Sequence, residues 1–243
     1  MARFFTPNKV TLLRVALGGA AVGLYAADAR ENAVAMGCAA LALTIGAIAL
    51  DGLDGYLARR FHLATPLGAQ IDILGDRVIE NIFFLYFAVC GQVPLWVPIL
   101  FFVRGTLADF LRGISAARGP RVKEDAESFH RNWMLRSRAG RLLVASRLSR
   151  GAYAAMKCLC FVALGLEWTL LHSHVPLSPH SAGMIHSGVN GLVLLTAAFC
   201  VVRAVPVFWE GWRDFTAMAR PATGVTRGAQ KLPARVRSVL AVR

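Results

Sequence analysis

Six apolar stretches divide the chain, at roughly 10–27, 33–57, 68–90, 93–116, 151–171 and 184–205. Within each, apolar residues run almost continuously rather than in the alternation of a half-buried strand. Each is long enough, or nearly so, to cross a hydrocarbon layer of about 30 Å at a helical rise of about 1.5 Å per residue. Lipid offers a backbone no hydrogen-bond partner, so a crossing segment is a helix or part of a closed barrel, and continuous runs favour helices. The pattern therefore predicts an all-α, polytopic membrane protein with six transmembrane helices. Pro7 suits the first turn of the first helix, with Thr6 as a candidate cap. Trp209 and Trp212, beyond the sixth stretch, read as interfacial anchors. Residues 117–150 are polar and basic and read as a surface helix or ordered loop. The expected organisation is one six-helix domain over residues 1–219, followed by a basic, flexible cytoplasmic tail over 220–243.

Charge orients this arrangement. The N-terminal segment carries Arg3 and Lys9, the second connection Arg59 and Arg60, the fourth nine arginines and lysines from Arg118 to Arg150, and the tail seven from Arg213 to Arg243. The first connection has only Arg30, offset by Asp28 and Glu31; the third, around "CGQVPLW", has no charge, and the fifth has no Lys or Arg. Basic loops stay in the cytoplasm, so both termini are expected there. Ala27-Asp28-Ala29 has the form of a signal-peptide cleavage site. Losing the first stretch would leave an odd number of spans and strand the basic loops on the wrong side, so it is read as retained. The chain of 243 residues is 56% hydrophobic with a net charge of +13. That apolar share exceeds the usual soluble composition, and basic loops account for much of the charge without a nucleic-acid partner. Cys38, Cys90, Cys158, Cys160 and Cys200 lie in or beside apolar stretches and read as small buried hydrophobes, not a disulfide or zinc framework.

Four aspartates interrupt this greasy pattern. Asp51 and Asp54 are three apart and Asp72 and Asp76 four apart, so each pair shares a helix face. One pair ends the second stretch and the other begins the third, so the faces of a helical hairpin can converge. Converging carboxylates repel, and burial worsens this; protonation, basic partners or a metal can relieve it. The nearby bases Arg59, Arg60 and Arg77 are few and peripheral by spacing. Hard divalent cations such as Mg²⁺ or Mn²⁺ prefer carboxylate oxygens, and four carboxylates can hold two such ions, an arrangement suited to phosphoryl chemistry. Gly52, Gly55, Ala58, Gly68, Ala69 and Gly75 interleave with the acids and would admit a ligand or a neighbouring helix closely.

Asp51-x-x-Asp54-Gly55-x-x-Ala58-Arg59, then Gly68-x-x-x-Asp72-x-x-x-Asp76, resembles the full signature of the CDP-alcohol phosphatidyltransferases. Pro7-Asn8-x-x-Thr11-x-x-Arg14 is similar to the start of bacterial members. The resemblance implies transfer of a phosphatidyl group from a CDP-linked lipid, usually CDP-diacylglycerol, to an alcohol, with release of CMP. It implies that Asp51, Asp54, Asp72 and Asp76 hold metal and that Asp76 is also the general base. It places Gly55, Ala58, Arg59 and Gly68, with Asn8 and Thr11, around the CDP moiety. It further implies a homodimer in the bacterial inner membrane with the site facing the cytoplasm.

The stretch from Asp76 to Gly119 is similar to phosphatidylglycerophosphate synthases, with Arg77, Val93-Pro94, Arg104 and Leu111-Arg112 at their characteristic places. On that resemblance Arg77, Arg104 and Arg112 suit a phosphorylated acceptor such as glycerol 3-phosphate. Inositol phosphate, serine or another alcohol are the alternatives. The chain departs from those synthases at Ile73-Leu74-Gly75-Asp76-Arg77, at Asp109 and around Arg150 to Lys157. A reading of another class, a cation transporter using intramembrane aspartates, explains four acids but not the Gly, Ala and Arg spacing. His172, His174, His180 and His186, on the other side, read as a solvated loop.

Overall fold

The computed structural model describes residues 7–27, 32–60, 66–117, 137, 140–172 and 178–219. Among them there are six long helices and no strand. They are α1 (Pro7–Ala26), α2 (Ala33–Arg60), α3 (Pro66–Val89), α4 (Trp96–Ala117), α5 (Arg147–Leu171) and α6 (Pro179–Ala219), with a π-helical turn at Arg141–Ala145 before α5. Each apolar stretch thus became one helix. Proline opens α1, α3 and α6, where its missing N–H costs nothing because first-turn amides have no helical partner.

Four segments are long and apolar enough to cross a membrane: Lys9–Ala26, Ala33–Leu53, Leu142–Leu171 and Pro179–Arg213. The remaining two helices fall short on composition. α3 carries Asp72, Asp76, Arg77 and Glu80, and α4 carries Arg104, Asp109 and Arg112. The outer surface is apolar, with Leu85, Val89, Phe102, Leu195 and Val205 all exposed. A soluble protein rarely presents so much contiguous apolar surface, and an integral membrane protein does.

α1 packs on α2 and α3, α2 also on α5, α3 on α4, and α6 on both α4 and α5. The core is aromatic: Tyr25, Phe83, Phe84, Phe87, Phe101, Phe161 and Trp168 form one cluster, with Phe84 stacked on Phe101 at 4.4 Å. Glycines let the helices close. A methyl at Gly37 would lie 2.6 Å from Thr169 Oγ1, and one at Gly165 would strike the Tyr25 hydroxyl.

α6 runs well past its expected end. Trp209 and Trp212 are part of the helix, which continues through Pro206 to Ala219. Its last turns stay helical because Val207, Phe208 and Phe215 pack with Ala108, Leu111 and Val144 from α4 and the π turn. Arg203 fastens that turn, donating to the carbonyls of Leu143 at 3.0 Å and Val144 at 3.3 Å. Glu210 accepts from the Ser137 amide at 3.2 Å and hydroxyl at 2.6 Å. The rest of the basic 4–5 connection, Thr6 and the 220–243 tail lie outside the described residues. All five cysteines are free, but only Cys160 and Cys200 are buried and Cys158 partly so. Cys38 and Cys90 are exposed, since the outside of such a bundle is as apolar as its inside.

Candidate metal and substrate site

The final turns of α2 carry Asp51 and the opening turns of α3 carry Asp72 and Asp76, which share one face at i, i+4. One carboxylate oxygen from each lies within 4.8 Å of the others. Asp54 lies one turn along α2 from Asp51, and its side chain is outside the described residues, as are those of Asn8, Gly55, Ala58, Arg59 and Arg112. Gly68, partly exposed, is in the first turn of α3.

A cation that spacing did not assign stands among these acids. Arg14 of α1 places Nη2 3.1 Å from Asp72 Oδ1 and 3.0 Å from Asp76 Oδ1, while Nη1 contacts Asp51. Arg59, Arg60 and Arg77 read as too few and peripheral to balance the acids, and a basic partner comes instead from a helix distant in sequence. Gly75, between the two α3 aspartates, makes room for it. A methyl there would sit 3.2 Å from Arg14 Nη2 and 2.9 Å from Cγ2 of the buried Thr11.

The arrangement is one-sided. The Arg14 side chain is 2% exposed, whereas those of Asp51, Asp72 and Asp76 are 48%, 46% and 50% exposed. Arg14 closes the inner side and the carboxylates open outward. Three carboxylates face one guanidinium, leaving negative charge and free oxygen lone pairs on the accessible side. That donor set fits a hard divalent cation. Among the described residues it is the one group of three or more acidic, His or Cys side chains so placed. Of the histidines read as a solvated loop, His172 caps α5 and stacks on Trp168 at 4.1 Å, His180 and His186 lie on α6 with His186 Nδ1 2.7 Å from Glu167 Oε1, and His174 lies outside the described residues.

One turn below Asp76 a basic cluster begins. Glu80, buried on α3, accepts from Arg77 Nη1 at 3.3 Å and from Lys157 Nζ of α5 at 2.9 Å. Arg77 Nε also donates to Asp109 Oδ2 of α4 at 3.2 Å, lying across Gly105, where a methyl would be 3.1 Å from Arg77 Cδ. The Tyr153 ring gathers three cations: Lys157 at 5.1 Å, Arg203 at 5.2 Å and Arg104 at 5.6 Å. Arg104 therefore joins this cluster, and Arg77 reaches it through Glu80. Glu80, Tyr153, Lys157 and Arg203 had no assigned role from spacing. The available signal was a lone charge inside an apolar run, which is costly and usually functional; Arg14 carries the same signal.

Residues 4–179 match the family described as CDP-alcohol phosphatidyltransferase. The chain belongs to that family. It is 27% identical over 138 residues to a Bacillus subtilis (strain 168) protein named "CDP-diacylglycerol--glycerol-3-phosphate 3-phosphatidyltransferase", covering 54% of this chain and 72% of that one. It is 25% identical over 207 residues to a Mycobacterium bovis protein named "CDP-diacylglycerol--serine O-phosphatidyltransferase", covering 82% of this chain and 70% of that one. This phosphatidyltransferase is thus an enzyme of phospholipid biosynthesis that works on a CDP-alcohol donor and an alcohol acceptor. The cation-transporter reading of its aspartates falls away. Divalent-metal dependence is typical of the family, and the outward-facing carboxylates are compatible with it.

Proposed function

We propose that this phosphatidyltransferase moves the phosphatidyl group of CDP-diacylglycerol to glycerol 3-phosphate and releases CMP. The observation that carries the acceptor is the basic cluster beside Asp76. Arg77 and Lys157 pair with Glu80 and Asp109, and Arg104 and Arg203 stand over the Tyr153 ring beside Lys157, so the four cations exceed the two acids by two charges. A phosphomonoester dianion balances that surplus, whereas the zwitterion serine does not. Arg112, on α4 near Asp109, belongs to the same reading, although its side chain is not described. Inositol phosphate carries the same phosphomonoester and is the nearest alternative; the serine reading draws on the mycobacterial relative that covers more of the chain.

Asp51, Asp54, Asp72 and Asp76 would hold two divalent ions, Mg²⁺ or Mn²⁺, which when bound neutralise diphosphate oxygens. Gly55, Ala58, Arg59 and Gly68, with Asn8 and Thr11, would receive the CDP moiety. Asp76 accepts the proton of the acceptor hydroxyl, a poor nucleophile until deprotonated. The hydroxyl oxygen bonds to the phosphorus that bears the lipid. The bond from that phosphorus to the bridging oxygen breaks, and CMP carries away the electron pair. The cations around Tyr153 hold the acceptor phosphate so that its hydroxyl reaches Asp76.

All six helices would cross the bacterial inner membrane, with both termini and the aspartates at the cytoplasmic face and the chain paired as a homodimer. Exposed Leu85 and Val89 on α3 and Ile99, Phe102 and Val103 on α4 support spanning by those two helices despite their charges. The test is CMP release by purified protein supplied with CDP-diacylglycerol, Mg²⁺ or Mn²⁺ and a panel of acceptors. Glycerol 3-phosphate is expected to be fastest, and Asp76→Asn to slow the reaction by about 10²–10⁴-fold. Faster release with serine would sink the phosphate assignment; silence with every acceptor would sink the donor.

A further inference from the structure

We propose that Arg14 is a built-in counter-cation, which holds the aspartates together when no metal is bound and competes with metal for their charge. The inference rests on the metal reading of the cluster. Arg14 is one of the largest fully buried side chains and sits in an otherwise apolar part of α1. A leucine would fill such a place without the desolvation of a guanidinium. What only a cation supplies is the set of ion pairs to Asp51 of α2 and to Asp72 and Asp76 of α3. Without it, three carboxylates with oxygens within 4.8 Å repel one another and push α2 from α3.

Position separates the two cations. Arg14 lies beneath the carboxylates and a metal approaches from the exposed side, so both draw on the same negative charge from opposite faces. By linkage, a group that stabilises the metal-free protein more than the loaded one weakens metal binding by the same factor. Arg14 therefore sets the site's affinity as well as its shape.

The experiment uses the full-length purified chain in detergent. Its unfolding temperature is followed in EDTA and across a Mn²⁺ titration, with Mn²⁺ affinity measured by calorimetry. Arg14→Gln is expected to lower the unfolding temperature by several degrees in EDTA and to recover most of that loss in saturating Mn²⁺. Its Mn²⁺ affinity should be roughly tenfold tighter than wild type. Removing one acid as well, in Arg14→Gln/Asp72→Asn, should raise stability in EDTA above that of Arg14→Gln alone. An Arg14→Gln protein destabilised equally with and without Mn²⁺, or binding Mn²⁺ more weakly than wild type, overturns the inference and leaves the metal reading standing. If Arg14→Gln does not fold, the double variant decides: failure to restore folding shows that charge is not what Arg14 supplies. Wild-type protein that binds no Mn²⁺ overturns the metal reading itself, and this inference with it.

Discussion

Gly75 is the narrowest point of the site. It stands between Asp72 and Asp76, and an added methyl would meet Thr11 Cγ2 at 2.9 Å and both Arg14 Nη2 and Val15 Cγ2 at 3.2 Å. Threonine and valine branch at Cβ and have little freedom to yield. Gly75→Ala should therefore cost about 1–3 kcal/mol through overpacking of α1 on α3 and lower the rate of CMP release as the carboxylates shift. Gly113→Ala, on an exposed part of α4 with no atom within 4 Å, is the control, and is expected to keep or raise stability by up to about 1 kcal/mol. Unfolding in detergent and the CMP assay read both variants. The aspartates were legible in the sequence because i, i+3 and i, i+4 spacing is a local property of a helix. The partner of those aspartates was not. Arg14 and Asp72 are 58 residues apart, and which face α1 turns toward α3 depends on packing that no local window contains.

At the scale of elements, α5 is tied near its middle to α3 through Lys157 and Glu80, and near its C-terminal end to α6 through Glu167 and His186. The Glu80 side chain is 3% exposed and that of Lys157 18%. Removing one partner of so buried a pair leaves a charge uncompensated, which costs about 3–5 kcal/mol, whereas removing both can be nearly neutral. Glu80→Ala should therefore destabilise the protein strongly, and Glu80→Ala/Lys157→Met should regain most of the loss. The double variant should still use glycerol 3-phosphate poorly, because the acceptor cation is gone. Recovery of stability together with full acceptor use would remove Lys157 from the acceptor site. The number and placing of the helices were legible, since each needs only one long apolar run. Their ends were less so: hydropathy sees the sixth run stop near residue 205, but polar residues continue as helix to Ala219 while Val207, Phe208 and Phe215 still find partners. The basic cluster was half legible, as lone charges in apolar runs, and became one feature only when α3, α4, α5 and α6 met around Tyr153.

For the whole molecule, α3 and α4 are expected to cross the membrane with the other four. Their charges lie mostly toward the aspartate end: Asp72, Asp76 and Arg77 are in the first half of α3 with Glu80 just past its middle, and Asp109 and Arg112 are in the second half of α4 with Arg104 just before its middle. The opposite halves present Leu85, Val89, Ile99 and Phe102 outward, as lipid-facing surface requires. A helix with one polar end and one apolar flank can span if its charges pair within the bundle, as Arg77 does with Glu80 and Asp109. Single cysteines in a chain whose five native cysteines are replaced separate the cases. Arg60 ends α2, Leu95 lies between α3 and α4, and His180 opens α6, and all three are exposed. With six spans, Leu95→Cys and His180→Cys react with an impermeant maleimide on intact cells, and Arg60→Cys reacts only after permeabilisation. With α3 and α4 outside the bilayer, Leu95→Cys joins Arg60→Cys on the inner side while His180→Cys stays outside. Labelling at Leu95 therefore decides whether the aspartates of α3 begin a true transmembrane helix. If they do, the lipid-bearing phosphorus of a bilayer-embedded donor and the carboxylates of Asp72 and Asp76 meet at one depth, which transfer from a lipid to a water-soluble acceptor requires.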